Sequence, residues 1–166
     1  YSSIYAQLFK ELISKFDLVK DIFQSKLSHY LELFVSIETC DPIEDYDLFC
    51  ELNKKNDIRR AQSLFFVNLM KQEIVEKSYI LELIFKLQEK MFASINEEGK
   101  KSLLEEISEN LYLLITQSYE HLNSHEQWDE IKENVKKISN ENIKNNKSLS
   151  NKTLFKHLDI LDEINN

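Results

Sequence analysis

The chain has 166 residues, is 42% hydrophobic and 30% charged, and carries a formal net charge of −8, a balance ordinary for one soluble globular domain with its own core. One glycine and one proline exclude a fold of short strands joined by tight turns, and no apolar run reaches the roughly 20 residues of a membrane span. The acidic total excludes nucleic-acid binding through the field of the whole molecule. What remains is an all-α protein rich in Leu, Ile, Lys and Glu, read as a single domain over residues 1–166.

The first helix is expected over Ser3–Phe16, with Ile4, Leu8, Leu12 and Phe16 on one side and Phe9 and Ile13 beside them. The second runs from Lys20 to Ile37, with Phe23, Leu27, Tyr30, Leu31 and Phe34 inward. Asp41 reads as an N-cap and Pro42 as the first residue of helix three. That helix contains the stretch NDIRRAQSLFFVNLMKQEIV, either unbroken or divided at Asn53–Asn56. Ile58, Ala61, Leu64, Phe65 and Leu69 form its expected stripe, widened by Phe66, Val67 and Met70. Arg59 and Arg60 would lay their stems on apolar surface and keep their heads wet.

Gln72–Glu76 reads as a turn, and helix four follows over Lys77–Ser94 with Ile80, Leu83, Ile84, Leu87 and Met91 inward. Asn96 is the expected cap of helix five, which places Gly99 in its first turn and buries Leu104, Ile107, Leu111, Leu114 and Ile115. Ser124 and Gln127 read as a capping box opening helix six, with Trp128, Ile131, Val135 and Ile138 inward. After a polar loop over Asn140–Lys147, Ser150 caps a last helix that buries Leu154, Phe155, Leu158 and Leu161. Helical pairs restart near Ser3, Pro42, Asn96 and Ser150, a spacing of roughly 40–50 residues that suits antiparallel hairpins stacked as HEAT-like repeats, about seven helices in an α-solenoid. With Tyr1 in place of Met, the chain is expected to be a processed or excised fragment.

No catalytic pattern is present: there is no glycine-rich phosphate loop, nucleophile elbow or kinase set. His121 and His125 are four apart, but the turn at Ser124 separates them and no third ligand lies near, so no metal or other cofactor is expected. Cys40 and Cys50 lack metal-like spacing and read as free thiols of an intracellular protein. Carboxylates are assigned to helix starts and exposed faces. Charge is uneven: five acids and no base lie between Asp41 and Glu51, whereas seven lysines face only Glu133 and Glu141 between Lys132 and Lys156.

Four stretches in order carry a family resemblance. YSSIYAQLFKELI contributes Tyr1, Ser2, Tyr5 and Ala6. RRAQSLFFVNLMKQEIV contributes Arg59, Arg60, Phe66, Val67, Leu69 or Met70, Lys71, Ile74 and Val75. SLLEEISENLYLLI and SLSNKTLFKHLDILD, the latter from Ser148 to Asp162, follow. Together they resemble the middle domain of eukaryotic translation initiation factor 4G, a HEAT-repeat domain. Where the family has a small glycine in the second motif, this chain has Ser63 or Leu64.

The resemblance covers nearly the whole chain and places its start inside the second repeat, about three helices into the family's domain. It implies a cytoplasmic, non-enzymatic scaffold that binds the DEAD-box helicase initiation factor 4A, holds its two lobes in a productive orientation and contacts mRNA. A cap-binding subunit would attach through regions outside this chain. The expected helicase contacts are Arg59, Arg60 and Lys71 around the central helix and Asn151, Lys152 and Lys156 on the last one. The expected RNA contacts are Lys136, Lys137, Lys144 and Lys147, though no aromatic platform accompanies them if Trp128 and Phe155 are core. Related middle domains serve nonsense-mediated decay, splicing, cap binding and deadenylation. A helical-repeat interaction module unrelated to RNA is the remaining alternative.

Overall fold

The computed structural model describes residues 1–35 and 37–165, apart from the side chains of Lys20, Gln24, Lys26, Leu27 and Ser28; the expected inward place of Leu27 lies outside them. All regular structure among the described residues is helical: α1 (Ser2–Lys15), α2 (Asp17–Ser28), a 3-10 helix (Tyr30–Phe34), α3 (Tyr46–Lys71), α4 (Lys77–Ser94), α5 (Lys101–Leu122), α6 (Trp128–Ser139), a 3-10 turn (Ile143–Asn145) and α7 (Asn151–Asn165). Helices α1, α3, α5 and α7 lie side by side in that order, while α4 packs on α5 and α6 on α7.

The most enclosed helix is α5, not the stretch of α3 that the apolar run singles out. Leu104, Ile107, Leu111, Leu114 and Ile115 on α5 are wholly buried against α3, α4 and α7. Burying such side chains contributes about 1.5–3 kcal/mol each. Ser108 and Ser118 are also buried on α5, and each donates its hydroxyl to the carbonyl four residues back, at 2.7 and 2.5 Å, so neither hydroxyl is stranded.

Several helix boundaries differ from the sequence reading, each for a local reason. Asp41 Oδ1 accepts from Ile43 N at 2.8 Å, closing a tight turn around Pro42 instead of capping a helix. The N-cap is Asp45, whose Oδ1 accepts from Leu48 N at 2.9 Å. From there α3 runs unbroken for 26 residues, through Asn53–Asn56. Helix two stops at Ser28, and Tyr30 and Phe34 are buried from a 3-10 turn.

Neither Asn96 nor Ser124 caps a helix. The first amide of the α5 start, Lys100 N, instead donates to Ser148 Oγ at 2.9 Å, so a distant loop supplies the cap. Gly99 lies before α5 with φ +75, a conformation glycine adopts without strain, and not inside the helix. Before α6, Gln127 N donates to His125 Nδ1 at 3.3 Å, and Gln127 itself occupies the cap position without a side-chain bond.

Two boundaries make predictions. Ser150 caps α7 as expected, with Thr153 N donating to Ser150 Oγ at 3.2 Å, and Ser150 Oγ donating to Glu105 Oε1 at 2.8 Å. Ser150→Ala is expected to cost about 1 kcal/mol, read as a lower urea midpoint at unchanged slope. At the end of α3, Glu73 has φ 61; Glu73 N donates to Met70 O at 2.9 Å and Ile74 N to Leu69 O at 3.0 Å. This is a Schellman ending with a non-glycine in the left-handed position. Glu73→Gly is expected to raise the melting midpoint, by about 1 kcal/mol of stability, because the strained position then meets no Cβ.

The stripe on α3 is turned from its expected phase. Arg59, Ser63, Phe66, Val67, Leu69 and Met70 face inward, while Ile58 is 53% exposed and Ala61 is also exposed. On α1, only Ala6 is fully buried, Phe9 and Ile13 are half-buried, and Ile4 and Leu8 are exposed, as is Phe16 just past its end.

Candidate interaction surface

Arg59 is an interior residue: its side chain is spent on Leu33 O at 2.8 Å from Nε and Asn56 Oδ1 at 2.5 Å from Nη1. It fastens the segment after α2 to the middle of α3. Burial pulls its guanidinium below the ordinary arginine range, with Glu106 opposing. Its head is therefore bound within the fold rather than wet.

Arg60 reaches across to α5, where Nη2 lies 2.6 Å from Glu106 Oε2. Glu106 is 3% exposed, against the sequence reading that placed carboxylates on helix starts and wet faces. A chain of donors converges there. Tyr30 Oη bonds Ser63 Oγ, Ser63 Oγ donates to Asn110 Oδ1 at 2.6 Å, and Asn110 Nδ2 donates to Glu106 Oε1 at 2.8 Å. Burial raises the Glu106 carboxyl above its ordinary value, and the Arg60 hydrogen bond and charge pull it back. Burial likewise raises the Tyr30 phenol, which stays protonated as the donor that begins the chain. This network joins α3, α5 and the 3-10 helix. Its geometry fixes register and offers no open site for chemistry.

Lys71 stands exposed in the last turn of α3, where a cation complements the helix dipole. The remaining expected contacts gather on α7. Asn151 and Lys152 are exposed. Lys152 Nζ lies 3.6 Å from Glu105 and 4.0 Å from Glu109, loose pairs at a wet surface worth little stability. Lys156 is less available, at 3.2 Å from Glu109 and 4.7 Å above the Tyr112 ring.

Phe155 is the residue that sequence reasoning missed. Expected in the core, it is 62% exposed, and Leu158 beside it is 42% exposed. The buried face of α7 is instead Thr153, His157, Ile160 and Ile164. Asn151, Phe155 and Leu158 follow i, i+4, i+7 spacing and so form one outward strip with Lys152 at its edge. The available signal was Thr153–His157–Ile160–Ile164, which repeats at the same helical spacing but was hidden by its polar members.

The basic end is built by α6 and the loop after it. Lys136 and Lys137 lie in the last turn of α6 and are exposed, as is Lys144. Lys147 is paired with Glu98 at 2.8 Å. Trp128 is buried as expected, in contact with the Tyr119 ring. Among the described residues no group of three or more His, Cys, Asp or Glu side chains is placed to hold a metal ion, and no helix is long and apolar enough to cross a membrane. Comparison with known protein families, with curated proteins and with solved structures finds no match for this chain.

Proposed function

We propose that this chain is a non-enzymatic translation-initiation scaffold of the initiation factor 4G middle-domain type, built from HEAT-like helical pairs and acting in the cytoplasm. It binds a DEAD-box RNA helicase resembling initiation factor 4A, orients the helicase's two lobes and helps recruit mRNA. The observation that carries the reading is the outward strip of α7, where Asn151 and Lys152 adjoin the exposed Phe155 and Leu158. An exposed aromatic ringed by polar groups is the composition of a binding hot spot. The strip falls within SLSNKTLFKHLDILD, one of the four stretches that carry the family resemblance.

Mechanistically, a rigid helical scaffold that touches both lobes favours the arrangement in which both contacts are made, and it shifts the helicase population by its difference in affinity for the two arrangements. In this reading Lys152 and Asn151 position the contact and Phe155 anchors it. Arg59 and Arg60 hold the scaffold's shape. Lys136, Lys137 and Lys144 supply phosphate contacts to RNA, with Lys147 partly spent on Glu98.

Titration of the full chain into the helicase by calorimetry tests this. Phe155→Ala is expected to weaken binding about 30-fold, the effect of removing a hot-spot side chain, with the circular dichroism of the chain unchanged. Binding that is indifferent to Phe155 and Lys152 would overturn the α7 surface. Binding only to a different DEAD-box protein would move the chain to another RNA pathway, such as nonsense-mediated decay, splicing, cap binding or deadenylation.

A further inference from the structure

Arg59 is only 9% exposed, yet among the described residues no carboxylate lies within ion-pair distance of its guanidinium. No Asp or Glu is outside the described side chains. Charges this deep are ordinarily paired. The carboxylate whose field reaches Arg59 is Glu106, but its oxygens are held by Arg60 and Asn110. The two acceptors Arg59 does meet, Leu33 O from Nε and Asn56 Oδ1 from Nη1, are neutral. Nη2 makes no hydrogen bond among the described residues and is not sealed from solvent. The fold therefore grips this cation without giving it a counter-charge.

Arg59 lines a groove of about 240 Å³ together with Leu33, Lys55 and Ile58. Lys55 and Arg59 are four residues apart on α3, so their side chains share one face. Lys55 is half-exposed, and its 3.3 Å pair with the exposed Glu51 is a surface contact that exchanges at little cost. Leu33 and Ile58 form apolar walls, with Ile58 53% exposed at the rim. The local sequence is basic: Lys54, Lys55, Arg59 and Arg60 stand against Asp57 alone, and Asp57 lies 3.7 Å from Arg60. On a chain of net charge −8 this is a positive spot with a greasy border.

We infer that this groove takes a glutamate side chain of a partner polypeptide, its carboxylate on Arg59 and Lys55 and its methylenes against Leu33 and Ile58. Charge selects an anion, because a charge-assisted hydrogen bond supplies what the fold withholds from Arg59. Shape selects a carboxylate over a phosphate. The donors come from α3 and the other walls are apolar, so a phosphate would press hydrated oxygens against Leu33 and Ile58. A carboxylate gathers both oxygens at one end of an apolar stem. Size selects a side chain over a free small molecule. The groove is smaller than the roughly 300–1,000 Å³ of sites that enclose a whole ligand. The rest of the partner chain would pass over the exposed parts of Lys55 and Ile58.

The test is a titration of the full chain with N-acetyl-glutamate amide at fixed ionic strength. Heteronuclear NMR follows the Arg59 Nε–H and the backbone amides of Leu33, Lys55 and Arg59. The expected result is saturable shifts at these groups with a Kd on the order of 1 mM, the scale for a small ligand held by one charged contact. N-acetyl-glutamine amide, the same shape without the charge, should give none. Lys55→Gln should weaken binding about 5-fold, and Glu51→Gln, which releases Lys55, should tighten it about 2-fold. Both side chains are at least half-exposed, so the helical circular dichroism should not change. Arg59→Lys keeps the charge but loses the fork, and should abolish binding. Because that variant also loosens the hold on Leu33, Lys55→Gln carries the test if it fails to fold.

No saturable shift by about 20 mM, equal binding of the glutamine analogue, or indifference to Lys55→Gln would overturn the inference. Inorganic phosphate binding as tightly would make this a general anion site and overturn the choice of a carboxylate. Butyrate binding more tightly than the blocked glutamate would assign the groove to a free acid and overturn the polypeptide partner. None of these outcomes depends on whether the helicase binds.

Discussion

Arg60→Ala is expected to destabilise the fold by about 3 kcal/mol or more at neutral pH, the cost of leaving a buried charge without its partner. Glu106 is 3% exposed and, among the described residues, its only cationic hydrogen-bond partner is the Arg60 guanidinium, at 2.6 Å. Asn110 remains after the substitution, but one amide bond does not neutralise a carboxylate. Removing Arg60 removes the leading influence that lowers the Glu106 carboxyl, so burial raises it further.

The sign of the pH effect follows. Between the ordinary carboxylate range and this raised value, the folded variant holds a proton that the unfolded chain has released. Stability therefore falls as pH rises through that window. The variant should lose most at neutral pH and recover toward the wild type when acidified into the carboxylate range. Adding Glu106→Gln should restore much of the loss at neutral pH, because the uncompensated charge is gone while Asn110 keeps an acceptor. Denaturant midpoints for the two single variants and the double variant, at both pH values, check this as a cycle.

The second large effect centres on His157. The ring is 1% exposed, its Nδ1–H donates to Thr153 O at 2.9 Å, and burial depresses its pKa to about 4. In the unfolded chain it titrates near 6.5, so the unfolded state takes up the proton first as pH falls. Stability from this residue is complete above pH about 6.5 and declines by about 3 kcal/mol on going down to pH about 4. For a domain of this size that is on the order of 10 °C in melting temperature. His157→Gln should have a lower melting temperature at pH 7 but a flatter profile between those pH values, read by thermal melts across the range.

The helical class, the order of the elements and most of the α4, α5 and α6 cores are legible in the sequence. Most of their buried residues are aliphatic and recur at helical spacing, so there periodicity and burial coincide. The reading slips where the two separate. On α3 the inward face includes Arg59 and Ser63, whose partners Leu33 and Asn110 are distant in sequence, while apolar Ile58 and Ala61 border an open groove. A periodicity argument assigns the apolar set inward and turns the helix. The same exchange on α7 hid Phe155: Thr153 and His157 are interior because each finds a bond within its own turn, which frees the aromatic for the surface.

Caps were legible only when donor and acceptor are neighbours in sequence. Ser150 and Thr153 satisfy that condition, whereas Ser148 serves Lys100 across 48 residues and gives no local signal. The candidate surface was legible in part for the same reason. Asn151 and Lys152 follow a recognisable cap, but Arg59 and Arg60 read as surface cations because nothing local announces Glu106 or Leu33.

The most direct measurement is the RNA-stimulated ATPase rate of the initiation factor 4A-like helicase with and without the full chain. The account predicts that the chain raises the rate, and that Phe155→Ala and Lys152→Glu each abolish most of the increase while the chain keeps its helical circular dichroism. A well-folded chain that leaves the rate unchanged at concentrations saturating for binding, or that fails to bind the helicase at all, would contradict the scaffold reading.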